Sequence, residues 1–175
     1  MIKFARGVML AIVLSVLGWV SPVQADLLEE LIPGAKLYGQ ARFKVLLFPI
    51  YDASLYTVGG VYDKQAPLAM RLDYLTSLDK ERIVKQTVKA MQRRSLGSEA
   101  EIAKWTKIME KYFDDVQEND QILIVFPDLE KVVFSTNDGP PEIVKDAKFS
   151  IAFRDLWLGE NIRNKRFQSD LLGLK

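Results

Sequence analysis

Apolar and polar positions alternate with a period of two across Lys36 to Thr57, through Phe43, Val45 and Leu47 and then Tyr51, Ala53 and Leu55. That periodicity predicts extended chain with one buried side. Pro49 has no N–H to give to a strand ladder, so a bulge or bend is expected beside it, between two strand segments. Gly59-Gly60 marks a turn, and Leu68 to Leu75 reads as a further strand, with Leu68, Met70 and Leu72 on one side and Ala69, Arg71 and Asp73 on the other.

The period then lengthens to that of a helix. Asp79 is placed to cap a helix running to about Arg94, with Ile83, Val84, Thr87, Val88 and Met91 on its buried side. Gly97 stops it, and Ser98 with Glu101 forms a capping box for a second helix lined by Ile102, Trp105, Met109 and Tyr112. Two short β-branched runs, Gln121 to Phe126 and Lys131 to Ser135, predict strands separated by the turn signal Pro127-Asp128. A turn-rich stretch, Asn137 to Pro141, leads to a third helix from about Asp146 to Leu158, closed by Gly159. Asn164 caps a short final helix ended by Gly173. Strands and helices fall in separate runs, which predicts an α+β fold with an antiparallel sheet and helices gathered on one face.

The first 25 residues follow a different logic. Lys3 and Arg6 precede a charge-free apolar run from Gly7 to Val20, and Ser21, Pro22 and the small-residue exit Val23-Gln24-Ala25 follow. This is the order of a secretory signal peptide, with cleavage expected after Ala25, and the run is shorter than the roughly 20 apolar residues needed to cross a bilayer. The expectation is a signal peptide over 1–25 and a working domain over 26–175, periplasmic or secreted. Asp26 to Leu31 reads as one acidic helical turn, broken by Pro33-Gly34.

Removing residues 1–25 leaves 22 Lys and Arg against 23 Asp and Glu. A balance so near zero argues against nucleic-acid binding, which rests on neutralising many phosphates. With no Cys and no His anywhere, disulfides, thiolate nucleophiles, imidazole bases and His/Cys metal sites are excluded. No metal or cofactor is called for. The acids Asp114, Asp115, Glu118 and Asp120 crowd together, but lack the glycine and alternate spacing of a calcium loop. Lys85, Lys89 and Arg93 recur every four residues on the first long helix; this is a water-facing stripe that also offers weak contact to an anionic membrane surface. Trp105 and Trp157 sit on apolar helix faces and read as core. Arg42, beside Gly39 at the head of an apolar strand, needs a partner: a carboxylate of the protein itself, or a ligand.

The segments Gly39-Gln40-Ala41-Arg42, Tyr51-Asp52-Ala53-Ser54-Leu55-Tyr56, Pro67 to Tyr74, Phe149 to Gly159 with its Trp157-Leu158-Gly159, and Leu171-Leu172-Gly173, in that order, resemble the bacterial chalcone isomerase-like family over essentially the whole of 26–175. The resemblance implies an open-faced β-sandwich, a large antiparallel sheet covered by helices with a ligand cleft between the layers. It also implies two kinds of relative: plant isomerases that close a flavanone ring, and non-catalytic members that include fatty-acid-binding proteins. Arg42 falls where the family has the arginine of its glycine-rich entry motif, although Ala41 replaces a usual glycine. Tyr51 falls where the fatty-acid binders have tyrosine and the isomerases threonine. The isomerases' tyrosine on the first long helix has no counterpart between Asp79 and Arg94. The reading that follows is a non-enzymatic protein holding a small apolar carboxylic acid, such as a fatty acid, with Arg42 and Tyr51 jointly receiving its carboxylate across a bulge near Pro49. The alternatives are an isomerase or lyase using Arg42 with Lys85 or Lys89, and a ligand-free interaction module.

Overall fold

The structure is a computed structural model and describes residues 22–137 and 139–174. The apolar run of the expected export signal lies outside the described residues.

Six strands form one antiparallel sheet in the order of the chain, β1 (Ala35–Val45), β2 (Phe48–Val58), β3 (Leu68–Tyr74), β4 (Gln121–Phe126), β5 (Lys131–Thr136) and β6 (Glu142–Lys145). Helix α1 (Pro22–Leu31) precedes them, α2 (Lys80–Arg93) and α3 (Glu99–Tyr112) stand between β3 and β4, and α4 (Ala147–Leu158) and α5 (Lys165–Leu171) close the chain. The fold is α+β, an open antiparallel sheet with a helical layer.

Strand alternation divides the sheet's two faces. Ala41, Ala53, Leu55, Leu68, Met70, Leu72, Ile124, Phe126, Val132 and Phe134 point into the main core, where Val84, Met91, Ile102, Trp105 and Met109 of α2 and α3 and Phe149, Phe153 and Trp157 of α4 meet them. The capping box forms as expected: Ser98 Oγ accepts from the Glu101 N–H, and the Glu101 carboxylate accepts from the Ser98 N–H at 2.8 Å.

The opposite face carries cover of its own. Leu28 and Ile32 of the α1 region pack on Ala69, Leu123, Val125 and Val133, because Leu27, Leu28, Leu31 and Ile32 form a helical stripe. Gln24 is buried, and its Nε2 donates to the Asn137 carbonyl at 2.5 Å. The single helical turn expected at Asp26 to Leu31 is thus a ten-residue helix, and the expected cleavage point after Ala25 falls within it. The four-residue β6 pairs with β5 from Lys131↔Lys145 to Phe134↔Glu142, in a stretch whose prolines and glycine read only as turn.

Candidate functional site

The site is built on the first three strands. Phe43 lies directly opposite Tyr51 in the β1–β2 ladder, and Tyr51 opposite Tyr74 in the β2–β3 ladder, so three aromatic side chains line up across the core face of neighbouring strands. The Phe43 and Tyr51 rings stack at 5.0 Å, and Tyr74 meets Tyr51 edge-on at 5.7 Å. Phe167 of α5 closes edge-on over both Phe43 and Tyr51, at 5.6 and 6.3 Å. From α4, Trp157 donates its indole N–H to the Tyr51 hydroxyl oxygen at 3.1 Å. Phe153 packs edge-on against Trp157 at 5.2 Å and carries the aromatic wall inward to Phe149. Phe43 and Tyr51 keep part of their surface exposed.

Close packing of α5 on β1 fixes that geometry. A Cβ at Gly39 would stand 2.1 Å from the Leu171 carbonyl oxygen, so only glycine lets the helix sit this near the strand.

Two hydroxyls dominate the electrostatics. Burial pushes the Tyr51 phenol far above its ordinary value, the Trp157 hydrogen bond offsetting this only in part. Burial likewise pushes Tyr74 up to about 12. Both phenols are therefore neutral donors at physiological pH. Tyr51 already accepts from Trp157, but its own O–H has no acceptor among the described residues, and the Tyr74 hydroxyl has no hydrogen-bond partner there either. The two phenols stand on adjacent strands beside the aromatic wall, and neither O–H is given to a protein acceptor among the described residues.

Arg42 is elsewhere. It pairs with Asp52 across the ladder, its Nε and Nη2 donating to the two carboxylate oxygens at 2.6 and 2.7 Å. Both side chains are on the face turned away from α2 to α5, because Arg42 lies between the core-facing Ala41 and Phe43. The expected bulge does form: Phe43 pairs with Tyr51 and Lys44 with Pro49, leaving Ile50 as the extra residue. It lies between Tyr51 and the turn, however, and so leaves the register of Arg42 and Tyr51 untouched. The two residues face opposite sides of the sheet, and the joint carboxylate clamp expected of them does not exist. Arg42 meets the protein's own carboxylate instead. Lys85 and Lys89 are on the exposed side of α2, a full sheet away from Arg42, so the arginine–lysine arrangement of the isomerase alternative is not assembled either.

Two of the four clustered acids are spent on local structure: Asp115 accepts from the Lys80 N–H at 2.7 Å, and Asp120 accepts from the Gln117 N–H at 2.7 Å and from Asn137 Nδ2 at 3.0 Å. Among the described residues no group of three or more acids is placed to hold a metal ion.

Sequence reasoning named Tyr51 and a buried Trp157 whose indole N–H needs a partner, but not that the two are each other's partners, and it did not single out Tyr74, Phe43 or Phe167. The signal for Tyr74 was present, since it continues the Leu68, Met70, Leu72 alternation by one step.

Residues 35–173 match the family model described as chalcone isomerase-like. The chain is 28% identical over 137 residues to an uncharacterized protein of Haemophilus influenzae, a match covering 77% of this chain and 66% of that one. Its fold is similar to the crystal structure of an Arabidopsis thaliana fatty-acid binding protein, with a TM-score of 0.60 and 17% identity over 80% of this chain and 87% of the other. With the family model spanning the whole sheet and every helix but the first, the chain belongs to the chalcone isomerase-like family.

Proposed function

We propose that this protein is a non-enzymatic binder of a small apolar acid, a fatty acyl chain being the best fit, acting outside the cytoplasm once residues 1–25 are removed. The observation that carries the reading is the pair of unspent hydroxyl donors, Tyr51 and Tyr74, set against the wall formed by Phe43, Phe167 and Trp157. A head-group oxygen accepts from the two phenols while the hydrocarbon lies along the rings. No Lys or Arg of β1 or β2 is on this face beside Phe43 and Tyr51, and the buried Arg154 of α4 is engaged by the Asp63 and Lys64 carbonyls; an ionised carboxylate is costly in an apolar site without a cation. The bound acid is therefore protonated, and the site takes the acid and its methyl ester about equally. The similarity in fold to a fatty-acid binding protein supports the ligand class.

The same electrostatics count against catalysis. A general base works best with a pKa near the operating pH, and both phenols are driven the other way. Removal of residues 1–25 would take away the buried Gln24 and keep Leu28 and Ile32, which pack the α1 region on the sheet.

The test is titration of the protein with dodecanoic and hexadecanoic acids and their methyl esters, followed by tryptophan fluorescence. Saturable binding is expected, weakened roughly tenfold or more in the double variant Tyr51→Phe/Tyr74→Phe, the effect of two neutral hydrogen bonds, and unchanged in Arg42→Ala. Absence of saturable binding for both chain lengths, or equal binding by the double variant, sinks the proposal.

A further inference from the structure

The β1–β2 hairpin ends in four consecutive large apolar side chains with no cover. Val45 is 51% exposed, Leu46 and Leu47 88% each and Phe48 71%. Elsewhere in the described structure, exposed apolar residues are scattered along the chain, and none forms such a run. Val45 pairs with Phe48, so Leu46-Leu47 is a two-residue turn. Leu46 sits at φ +58, a left-handed position that tight hairpins ordinarily give to glycine, asparagine or aspartate. Local turn chemistry has been set aside here in favour of an apolar tip, the kind of conflict that marks functional sites.

The tip has a basic collar. Helix α5 runs along β1 with Leu171 against Gly39 and Phe167 against Phe43, so residues before Phe167 lie toward the hairpin's end. Lys165 and Arg166, in the first turn of α5, are exposed there, Arg163 is exposed just before the Asn164 cap, and Lys44 is exposed at the base of the turn. Among the described residues no ion pair engages Lys44, Arg163 or Lys165; Arg166 has Asp170 only at 4.0 Å and is 92% exposed. Asp52, the acid nearest along β2, is already spent on Arg42. Apolar residues protruding past a ring of cations are the complement of an anionic bilayer, whose headgroups attract lysine and arginine and whose acyl boundary takes up leucine and phenylalanine. The reach is right as well: two residues of strand beyond Lys44 project about 7 Å, within the depth of roughly 5–10 Å at which interfacial apolar groups settle.

We infer that the β1–β2 hairpin tip, Val45 to Phe48, is a membrane-docking element that inserts into the interface of an anionic phospholipid bilayer with Lys44, Arg163, Lys165 and Arg166 on the headgroups. This site differs from the α2 stripe considered from sequence. There Lys85 and Lys89 share their surface with Asp79, Glu81 and Asp115, and no large exposed apolar residue accompanies them. The inference goes beyond the ligand reading and does not depend on any occupant of the aromatic wall.

The experiment is co-sedimentation of the protein, as its host processes it, with vesicles of phosphatidylcholine alone and of phosphatidylcholine with phosphatidylglycerol. Expected are binding at least about tenfold tighter to the anionic vesicles, and at least about a tenfold loss in Leu47→Asp and in the charge reversal Arg163→Glu/Lys165→Glu. A Leu47→Trp variant, its emission read as the difference from the parent that already holds Trp105 and Trp157, should shift to the blue on anionic vesicles and be quenched by bromine-labelled acyl chains. The urea midpoint identifies any variant that has merely unfolded, and the Leu47→Trp emission does not rely on loss of binding. Equal binding to both vesicle types, binding insensitive to Leu47→Asp, or unshifted Leu47→Trp emission overturns the inference. So does a dimer in sedimentation equilibrium that Leu47→Asp dissolves, which assigns the tip to a second copy of the chain.

Discussion

The indole N–H of Trp157 donates to the hydroxyl oxygen of Tyr51 at 3.1 Å, joining the last turn of α4 to the middle strand of the β1–β3 face near the hairpin end. Each partner leaves the other's polar atom in an apolar surrounding if removed. Tyr51→Phe should therefore cost about 1–3 kcal/mol of stability through the orphaned indole N–H. Trp157→Phe should cost at least as much, since it also loses packing against Phe153. The double variant should cost less than the sum, with a coupling of about 0.5–1.5 kcal/mol. Urea unfolding of the three variants measures this, and strict additivity would show that the bond contributes nothing.

The hydroxyls also set an alkaline limit. Tyr74 is pushed up to about 12 and Tyr51 higher still, both chiefly by burial, whereas the unfolded phenols ionise near 10. A phenol raised in the folded state favours folding below the unfolded pKa, and that stability is lost as pH rises from about 10 toward the folded value. Absorbance titration of tyrosinate should accordingly find Tyr51 and Tyr74 un-ionised at pH 11 in the folded protein. Tyr74→Phe should remove one of them and flatten the loss of stability between about pH 10 and 12.

Most of this architecture is legible in the amino-acid order, and the misses have definite causes. Period-two and period-3.6 runs locate β3, β4, β5 and α2 to α4 to within a residue or two, because each buries one continuous stripe. The β1–β2 turn was hidden because Leu46-Leu47 carries no turn residue, so the chain reads as strand until Pro49. That concealed turn also hid the fate of Arg42. Which face it shares with Tyr51 depends on where the ladder begins, and a one-residue slip exchanges the faces. With the turn at Leu46-Leu47, Arg42 falls opposite Asp52. Strand β6 escaped because Glu142 to Lys145 is only four residues long and follows Pro140-Pro141. The cover that α1 gives the second face is hidden because Ala69 shares its side of β3 with Arg71 and Asp73, which reads as water-facing, although Leu123, Val125 and Val133 beside it are as apolar as their core-facing neighbours.

Gly39 is the tightest backbone contact of the site. An alanine there would drive its Cβ to 2.1 Å from the Leu171 carbonyl oxygen and 2.9 Å from the carbonyl carbon, atoms of a helix backbone that cannot rotate aside. Gly39→Ala should lift α5 from β1, cost about 3 kcal/mol, at the upper end of overpacking effects, and expose Phe167. Hydrogen exchange should show the loss as faster exchange confined first to 165–171 and β1. A variant as stable as the parent would mean that α5 is not seated on the strand.

Glu101 gives the fold an acid-side signature. The Lys148 ammonium beside it, followed by the Ser98 N–H and hydroxyl, holds its carboxyl down at about 2, against an ordinary value near 4.5. A carboxylate depressed in the folded state adds stability above its unfolded pKa, and that contribution disappears as pH falls from about 4.5 through about 2. The same group tethers α4 to α3, since Lys148 lies in the first turn of α4 and Glu101 in the first turn of α3. Protonation therefore loosens the cap and the interhelical tie in one step. Both partners are at the surface, so salt should weaken the effect. Glu101→Gln keeps a capping acceptor but loses the charge, and it should show a shallower decline of the urea midpoint between pH 4.5 and 2 than the parent, with the difference narrowing at high ionic strength. Lys148→Met should reproduce most of that change while leaving the Ser98 bonds in place. Parallel midpoint curves for all three proteins would show that the Glu101 carboxylate is no more favoured in the folded state than in the unfolded chain.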